Sequence, residues 1–388
     1  MRAKSIFISI VSLTVSAFPA SAQSEFFTEP YVTNITQNSF DVLFVTNGDY
    51  MCHLELAPCD GTAWNKYARD EYWQDFSGRH FMGRYHHIKV DGLQPGTKYR
   101  YRIVGTKVTD SSKPYSIKWG QSFSWPKWTK PAACGRTLSS QADSCRFSMV
   151  NDMHFNDARL TALMKAMPKD NDFIFLNGDI VSYSTSIDSV LIHTITPLAS
   201  LTRDYPVFMA RGNHESRGAE WWKMLQVFPT RTGEFYYIFR QGPVAFLVLD
   251  AGEDKPDKSI EYGGTAAYDK YRKQELEWLK EAVRNEEFVF APHKVCLMHV
   301  PTFNDADAWW SQQWIAENFT PILNEAGVEL MLCGHHHRYI LSRNGEHNNK
   351  YVILANSNTE RLDFCATASG ISLRCYDAEG NLLHSVDL

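Results

Sequence analysis

The chain has 388 residues, 44% of them hydrophobic and 13% aromatic, with a net charge of −5. That is enough apolar material for a large core, and it suits two domains better than one. Lys and Arg are scattered without a dense block, so no nucleic-acid-binding surface is evident. Residues 1–22 open on Arg2 and Lys4, run through an apolar stretch from Ile6 to Phe18 and end on Ala20-Ser21-Ala22. This is the pattern of a secretory signal peptide. The stretch is shorter than the roughly 20 residues a membrane span needs. The mature chain is therefore expected to carry no span and to be secreted or periplasmic. Eight cysteines are an even set in such a chain. Cys52/Cys59, Cys134/Cys145 and Cys365/Cys375 are near enough in sequence to form local disulfides, whereas Cys296 and Cys333 sit in apolar runs and read as buried thiols, or as a pair only if their strands are neighbours.

Residues 24–125 read as β throughout. Phe40, Val42 and Phe44 alternate as in a half-buried strand. Leu93, Pro95, Thr97, Tyr99, Tyr101 and Ile103 fall at every second position around a Pro95-Gly96 turn. Asn47-Gly48 and Asp60-Gly61 are expected turns between strands. The Tyr-bearing hairpin resembles that of a fibronectin type III-like sandwich. Residues 126–145 lose periodicity and read as a connection.

From residue 146 to 388, short apolar runs alternate with helical patterns. Leu160, Leu163, Met164 and Met167 form one stripe at helical spacing. Leu276, Leu279 and Val283 form a second, and Trp314, Ile315, Ile322 and Leu323 a third that Pro321 is expected to bend. Such alternation predicts an α/β domain, layered with helices outside. Residues 250–269 follow an apolar run without periodicity and read as a loop able to cover a site.

Polar residues able to bind metal follow one apolar run after another: Asp152 and His154, Asp179, Asn213 and His214, His299, then His335 and His337. Open α/β sheets bind ligands beyond the carboxyl ends of their strands, so these residues can share one edge. Carboxylate, amide oxygen and imidazole together suit Mn, Fe or Zn better than Ca or Mg. Seven donors are too many for one tetrahedral ion but serve two if Asp179 bridges with its two oxygens. Side-chain alternation sends His335 and His337 one way and His336 the other. Arg211, Arg217 and Arg338 lie near the same edge as candidate phosphate ligands. His53, His80, His86, His87, His193, His293, His347 and His384 read as ordinary surface or core residues.

The ordered blocks D-x-H, G-D, G-N-H-E, H and G-H-x-H, over about residues 146–340, resemble the calcineurin-like metallophosphoesterases. That resemblance implies two divalent or trivalent ions. Asp152, His154, Asp179 and His337 would hold one; Asp179, Asn213, His299 and His335 would hold the other. His214 would remain unligated as a proton donor, with Glu215 behind it. The sandwich followed by this domain resembles the purple acid phosphatases. However, Tyr183 stands four residues after Asp179 where that pattern has three, and His154 replaces a non-His residue. Tyr183 is therefore read as a rim residue. The expected function is hydrolysis of a small-molecule phosphate ester by metal-bound hydroxide, with monoesters favoured over diesters or nucleotide pyrophosphate bonds. The competing class is a non-catalytic surface-binding protein, against which the complete ligand set argues.

Overall fold

The computed structural model describes residues 24–66, 68–113 and 115–388. The expected signal peptide lies outside them. Among the described residues, no helix is long and apolar enough to cross a membrane.

The N-terminal region is all-β and antiparallel. Strand Phe40–Pro58 pairs with Phe26–Thr33, Gly83–Val90 and Lys98–Lys113, and the last of these pairs with Ser116–Trp125. Asn47-Gly48 does not separate two strands. It forms an irregularity inside one strand of 19 residues, where Asn47 N bonds Glu25 O and its side chain bonds Ser24 O and Phe26 O. The neighbouring chain satisfies the polar groups that would otherwise favour a turn. Part of the predicted connection is also ordered, because Ala133–Arg136 adds a strand beside Lys98–Lys113.

Phe40, Val42 and Phe44 are buried as expected, but so are Leu43 and Val45. The second face of this strand is not solvated. It packs with Tyr31 against Val150, Met209 and Val227. Tyr31 Oη donates to Val227 O at 2.6 Å and Thr33 Oγ1 to Val207 O at 2.7 Å, joining the N-terminal sheet to the rest of the chain.

The remainder is two six-stranded sheets with helices outside. One runs Val207–Ala210, Phe173–Asn177, Ser144–Val150, Arg361–Thr367, Gly370–Tyr376, Leu382–Asp387. The other runs Tyr237–Gln241, Val244–Leu249, His293–Met298, Leu330–Cys333, Val352–Ala355, Ile340–Ser342. The strands are apolar on both faces. Phe173 and Phe175 enter the core shared by the sheets, while Ile174 and Leu176 pack with helix Asp157–Lys165. Val295 and Leu297 face the same inner core, and Cys296 and Met298 face the helices Tyr268–Ala282 and Trp310–Asn318. Burial on both sides turns period-2 alternation into continuous apolar runs. The third predicted stripe breaks at Phe319, where helix Thr320–Ala326 begins with Pro321 in its first turn.

All eight cysteines are free. Cys52 lies within strand Phe40–Pro58 and Cys59 just past its end, about 23 Å away along an extended chain. Cys134 and Cys145 belong to different sheets. Register sets Cys365 opposite Ser372 and Cys375 opposite Leu362, so the two thiols do not face each other. Cys296 and Cys333 do lie on neighbouring strands, but Cys296 pairs with Met331.

His86 gives the fold a pH dependence. It is buried, stacked on Phe44 at 4.5 Å, and burial pushes its imidazole from 6.5 down to about 4. Below pH 6.5 the unfolded chain takes up a proton that the folded chain refuses. This contribution is complete above that pH and is lost as pH falls towards about 4, by up to about 3 kcal/mol. Denaturant unfolding at about pH 7.5 and about pH 4.5 should show a smaller acid loss for His86→Phe than for the wild type. Equal losses would remove His86 as the cause.

Candidate metal centre

In the first sheet, Ser144–Val150, Phe173–Asn177 and Val207–Ala210 run parallel. In the second, Val244–Leu249, His293–Met298 and Leu330–Cys333 do. Each strand delivers its polar residues just past its carboxyl end: Asp152 and His154, Asp179, Asn213, Glu253 and Asp254, His299, His335 and His337. The two halves are tied at this edge by Asn177 Nδ2 to Leu332 O at 3.2 Å and by His335 N to Asp152 Oδ2 at 2.8 Å.

The backbone here is strained. Of the nine described non-glycine residues with positive φ, six are Asp152, His154, Phe155, Asp179, His335 and His337. Left-handed conformations in such residues persist only where the surroundings over-determine them, and they cluster at functional sites. They also correct the reason given for His336. Residues 335–338 form a bend, not an extended strand. Left-handed residues on either side turn His336 out towards Gln312 Nε2, at 3.1 Å, and the Phe303 ring. Close approach explains the neighbouring glycines: a Cβ on Gly334 would lie 2.6 Å from Asp152 Oδ2, and one on Gly212 would collide with the Asp179 carboxylate.

Three clusters bring potential ligand atoms together: Asp152 with His154 and His337; His154 with Asp179 and His214; and Asp179 with His299 and His335. His337 Nε2 is 3.2 Å from Asp152 Oδ1, and His299 Nε2 is 3.1 Å from Asp179 Oδ2. The carboxylates form the floor, fully buried, whereas the His337 side chain is 49% exposed at the rim. Asp179 does not offer one oxygen to each side. Oδ1 accepts the N–H of His214 at 2.9 Å, and Oδ2 alone faces His154, His214 and His299. Oδ2 is therefore the Asp179 oxygen that would be available to bound ions.

The donors fit transition-metal ions. Asp152 Oδ1, Asn213 Oδ1 and His299 Nε2 are buried with no hydrogen-bond partner, a costly state unless a cation takes them up. His299 Nδ1 donates to Asn177 O at 2.7 Å, which turns Nε2 towards the site. Burial opposes charge on His299, but Asp179 and Asp152 outweigh it and raise the imidazole to about 10. The pocket's negative field calls for a cation. Burial, reinforced by His299, lowers His335 to about 3 and keeps it a neutral donor.

Glu215 supports the loops rather than the ligands' side chains. Fully buried, it accepts the N–H groups of Asp179, Ile180, Val181 and Gly212 at 2.8–3.2 Å. Burial and the Asp179 charge raise its carboxyl, and these donors pull it back. Asn151 and Asn356, which sequence reasoning missed, form a buried pair, with Asn151 Nδ2 donating to Asp152 Oδ2 at 2.7 Å. Their only signal is position, since each directly follows an apolar run.

The arginines differ. Arg211 is buried and committed to an ion pair. Its guanidinium lies on Asp250 at 2.6 Å between Phe235 and Tyr271, which leaves less of it for a phosphate oxygen than the sequence suggested. Arg217 forks onto Glu253 at 2.6 and 2.8 Å and directs Nη1 to His214 Nε2 at 2.9 Å. Arg338 is exposed next to His337. Tyr183 is 49% exposed and packs edge-on against Phe155. Segment 250–269 reaches the site through Glu253 and Asp254, but its last two residues already belong to helix Tyr268–Ala282.

Fold and site define a metallophosphoesterase, and that class implies a dinuclear metal centre. The calcineurin-like phosphoesterase family model matches residues 145–339, half of the sequence, and the chain belongs to that family. It is similar to purple acid phosphatase 23 of Arabidopsis thaliana, at 23% identity over 66% of this chain and 57% of that protein. It is also similar to the serine/threonine-protein phosphatase CPPED1 of Mus musculus, at 24% identity over 48% of this chain and 60% of that one. The chain thus spans a little over half the length of these curated relatives. In fold it matches the structure of PhoD with a TM-score of 0.62, covering 95% of this chain and 94% of PhoD at 12% identity.

Proposed function

We propose that the chain is an exported dinuclear-metal phosphoesterase acting on small-molecule phosphate monoesters. The observation that carries this reading is the convergence of Asp152, His154, Asp179, Asn213, His299, His335 and His337, with buried donor atoms left unpaired towards one another. Asp152, His154, Asp179 and His337 would hold one ion, and Asp179, Asn213, His299 and His335 the other. Bound ions of this kind supply Lewis acidity and lower the pKa of water from 15.7 to about 7.

The chain's own groups supply the rest. Arg217, held by Glu253, has Nη1 directed at His214. An arriving phosphoryl oxygen takes the place of His214 as its acceptor. His214 Nδ1 donates to Ser182 O at 3.0 Å, so the ring remains oriented, and in its imidazolium form Nε2 would give its proton to the leaving oxygen. Arg338 places positive charge at the rim, and Arg217, although paired with Glu253, keeps Nη1 as a donor for a phosphoryl oxygen; together they favour the dianion of a monoester. Export rests on residues 1–22. A fibronectin type III-like assignment for 24–125, with 126–145 as the connection and 146–388 as the catalytic domain, is supported by Tyr99 Oη accepting Gln94 N at 2.9 Å beside the Pro95-Gly96 turn.

The test is a panel of monoesters, diesters and nucleotides assayed with Mn, Zn and Fe added separately. Metal-dependent turnover fastest on monoesters is expected. Faster turnover of diesters or pyrophosphate bonds would move the assignment to those substrates. A chain with neither metal nor turnover would be a binding module.

A further inference from the structure

Asp254 lies in the loop that follows strand Val244–Leu249, and none of the five motif blocks contains it. It is 7% exposed. Oδ2 accepts Asn213 Nδ2 at 3.2 Å, which orients that amide and leaves Asn213 Oδ1 free. Oδ1 has no hydrogen-bond partner and lies 3.8 Å from His335 Nε2. The loop is fixed from behind. Arg272 Nη1 donates to Ala251 O and Glu253 O, and Ser311 N donates to Asp254 O at 2.9 Å. Arg217 Nη2 lies 3.7 Å from Oδ2, on the other side of the carboxylate, and leaves Oδ1 unpaired; a buried carboxylate oxygen in that state is expensive unless a cation takes it up.

We propose that Asp254 is an additional protein donor to the ion held by Asn213, His299 and His335. This rests on the dinuclear reading above. A third carboxylate lowers the net positive charge of the centre by one and gives the second ion an anionic ligand of its own besides the bridging Asp179. It also makes segment 250–269 part of the metal centre rather than only its cover.

The experiment titrates Zn-loaded wild type, Asp254→Asn and Asp254→Ala with a chelator, counts bound ions, and records the visible spectrum of the Co-substituted proteins. Asn at 254 still accepts from Asn213 but lacks the anionic oxygen. Asp254→Asn should retain the first ion and bind the second at least about 10-fold more weakly, with a changed Co spectrum. A role limited to orienting Asn213 would leave Asp254→Asn like wild type and weaken only Asp254→Ala. That result, with two ions still bound by wild type, overturns the ligand assignment alone. Fewer than two ions in wild type overturns the dinuclear reading and this proposal with it. Circular dichroism of the metal-free proteins controls for folding, and Asp254→Ser replaces the amide variant if that one does not fold.

Discussion

Asp179→Asn should lose both ions and at least about 10³-fold in kcat, because it removes more than one preorganised electrostatic group, each worth about 10²–10³. A single oxygen, Oδ2, lies 3.1 Å from His299 Nε2 and 3.9 Å from the Nε2 atoms of His154 and His214. An amide there offers either a neutral oxygen or an N–H group that repels a cation. The other oxygen has a structural duty, accepting His214 N, and an amide oxygen can keep it. The variant should therefore fold. Its metal-free form should melt lower than metal-free wild type, since, although burial opposes its charge, His299 and the N–H of His214 hold the Asp179 carboxyl well below its ordinary range and so favour the folded carboxylate. Metal analysis, steady-state rates and thermal melts test all three parts. Two ions per chain with near-normal turnover would remove Asp179 from the bridging position.

Much of the centre was legible because each motif directly follows an apolar run, and a run buried on both faces marks a strand end. Chain order then brings Asp152, Asp179 and Asn213 to one sheet and His299, His335 and His337 to the other. What stayed hidden depends on contacts distant in sequence. Arg211 looks like a phosphate ligand until Asp250, just past a strand of the other sheet, pairs with it. Asp254 acquires meaning only through Asn213, 41 positions earlier. Strand Ala133–Arg136 is too short to carry a pattern and exists because Lys98–Lys113 has a free edge. Leu43 and Val45 looked incidental beside Phe40, Val42 and Phe44, because docking of one region on another leaves no local period. His336 was placed correctly on a wrong premise. Left-handed residues turn it out, and no propensity rule gives that conformation to histidine.

His214→Ala should keep both ions and lose about 10²–10⁴-fold on alkyl esters, the range of general acid catalysis. Its ring is not committed to the ions. Nδ1 is fixed by Ser182 O, Nε2 meets Arg217 Nη1, and the ring leans edge-on against His154 at 4.6 Å. The backbone N–H, which holds Asp179 Oδ1, survives the substitution. Removing the ring frees Arg217, which stays pinned by Glu253 and can still bind a phosphoryl oxygen. Ground-state binding should then change less than turnover, so the loss should fall on kcat more than on KM. Leaving groups separate the two roles open to His214. A proton donor matters most when the departing oxygen is strongly basic, so p-nitrophenyl phosphate should suffer least and the loss should grow with leaving-group pKa. A group that only orients phosphate gives the same loss across the series. Uniform loss would therefore refute the acid role, and loss of an ion would make His214 a ligand, as its place beside His154 and Asp179 also permits.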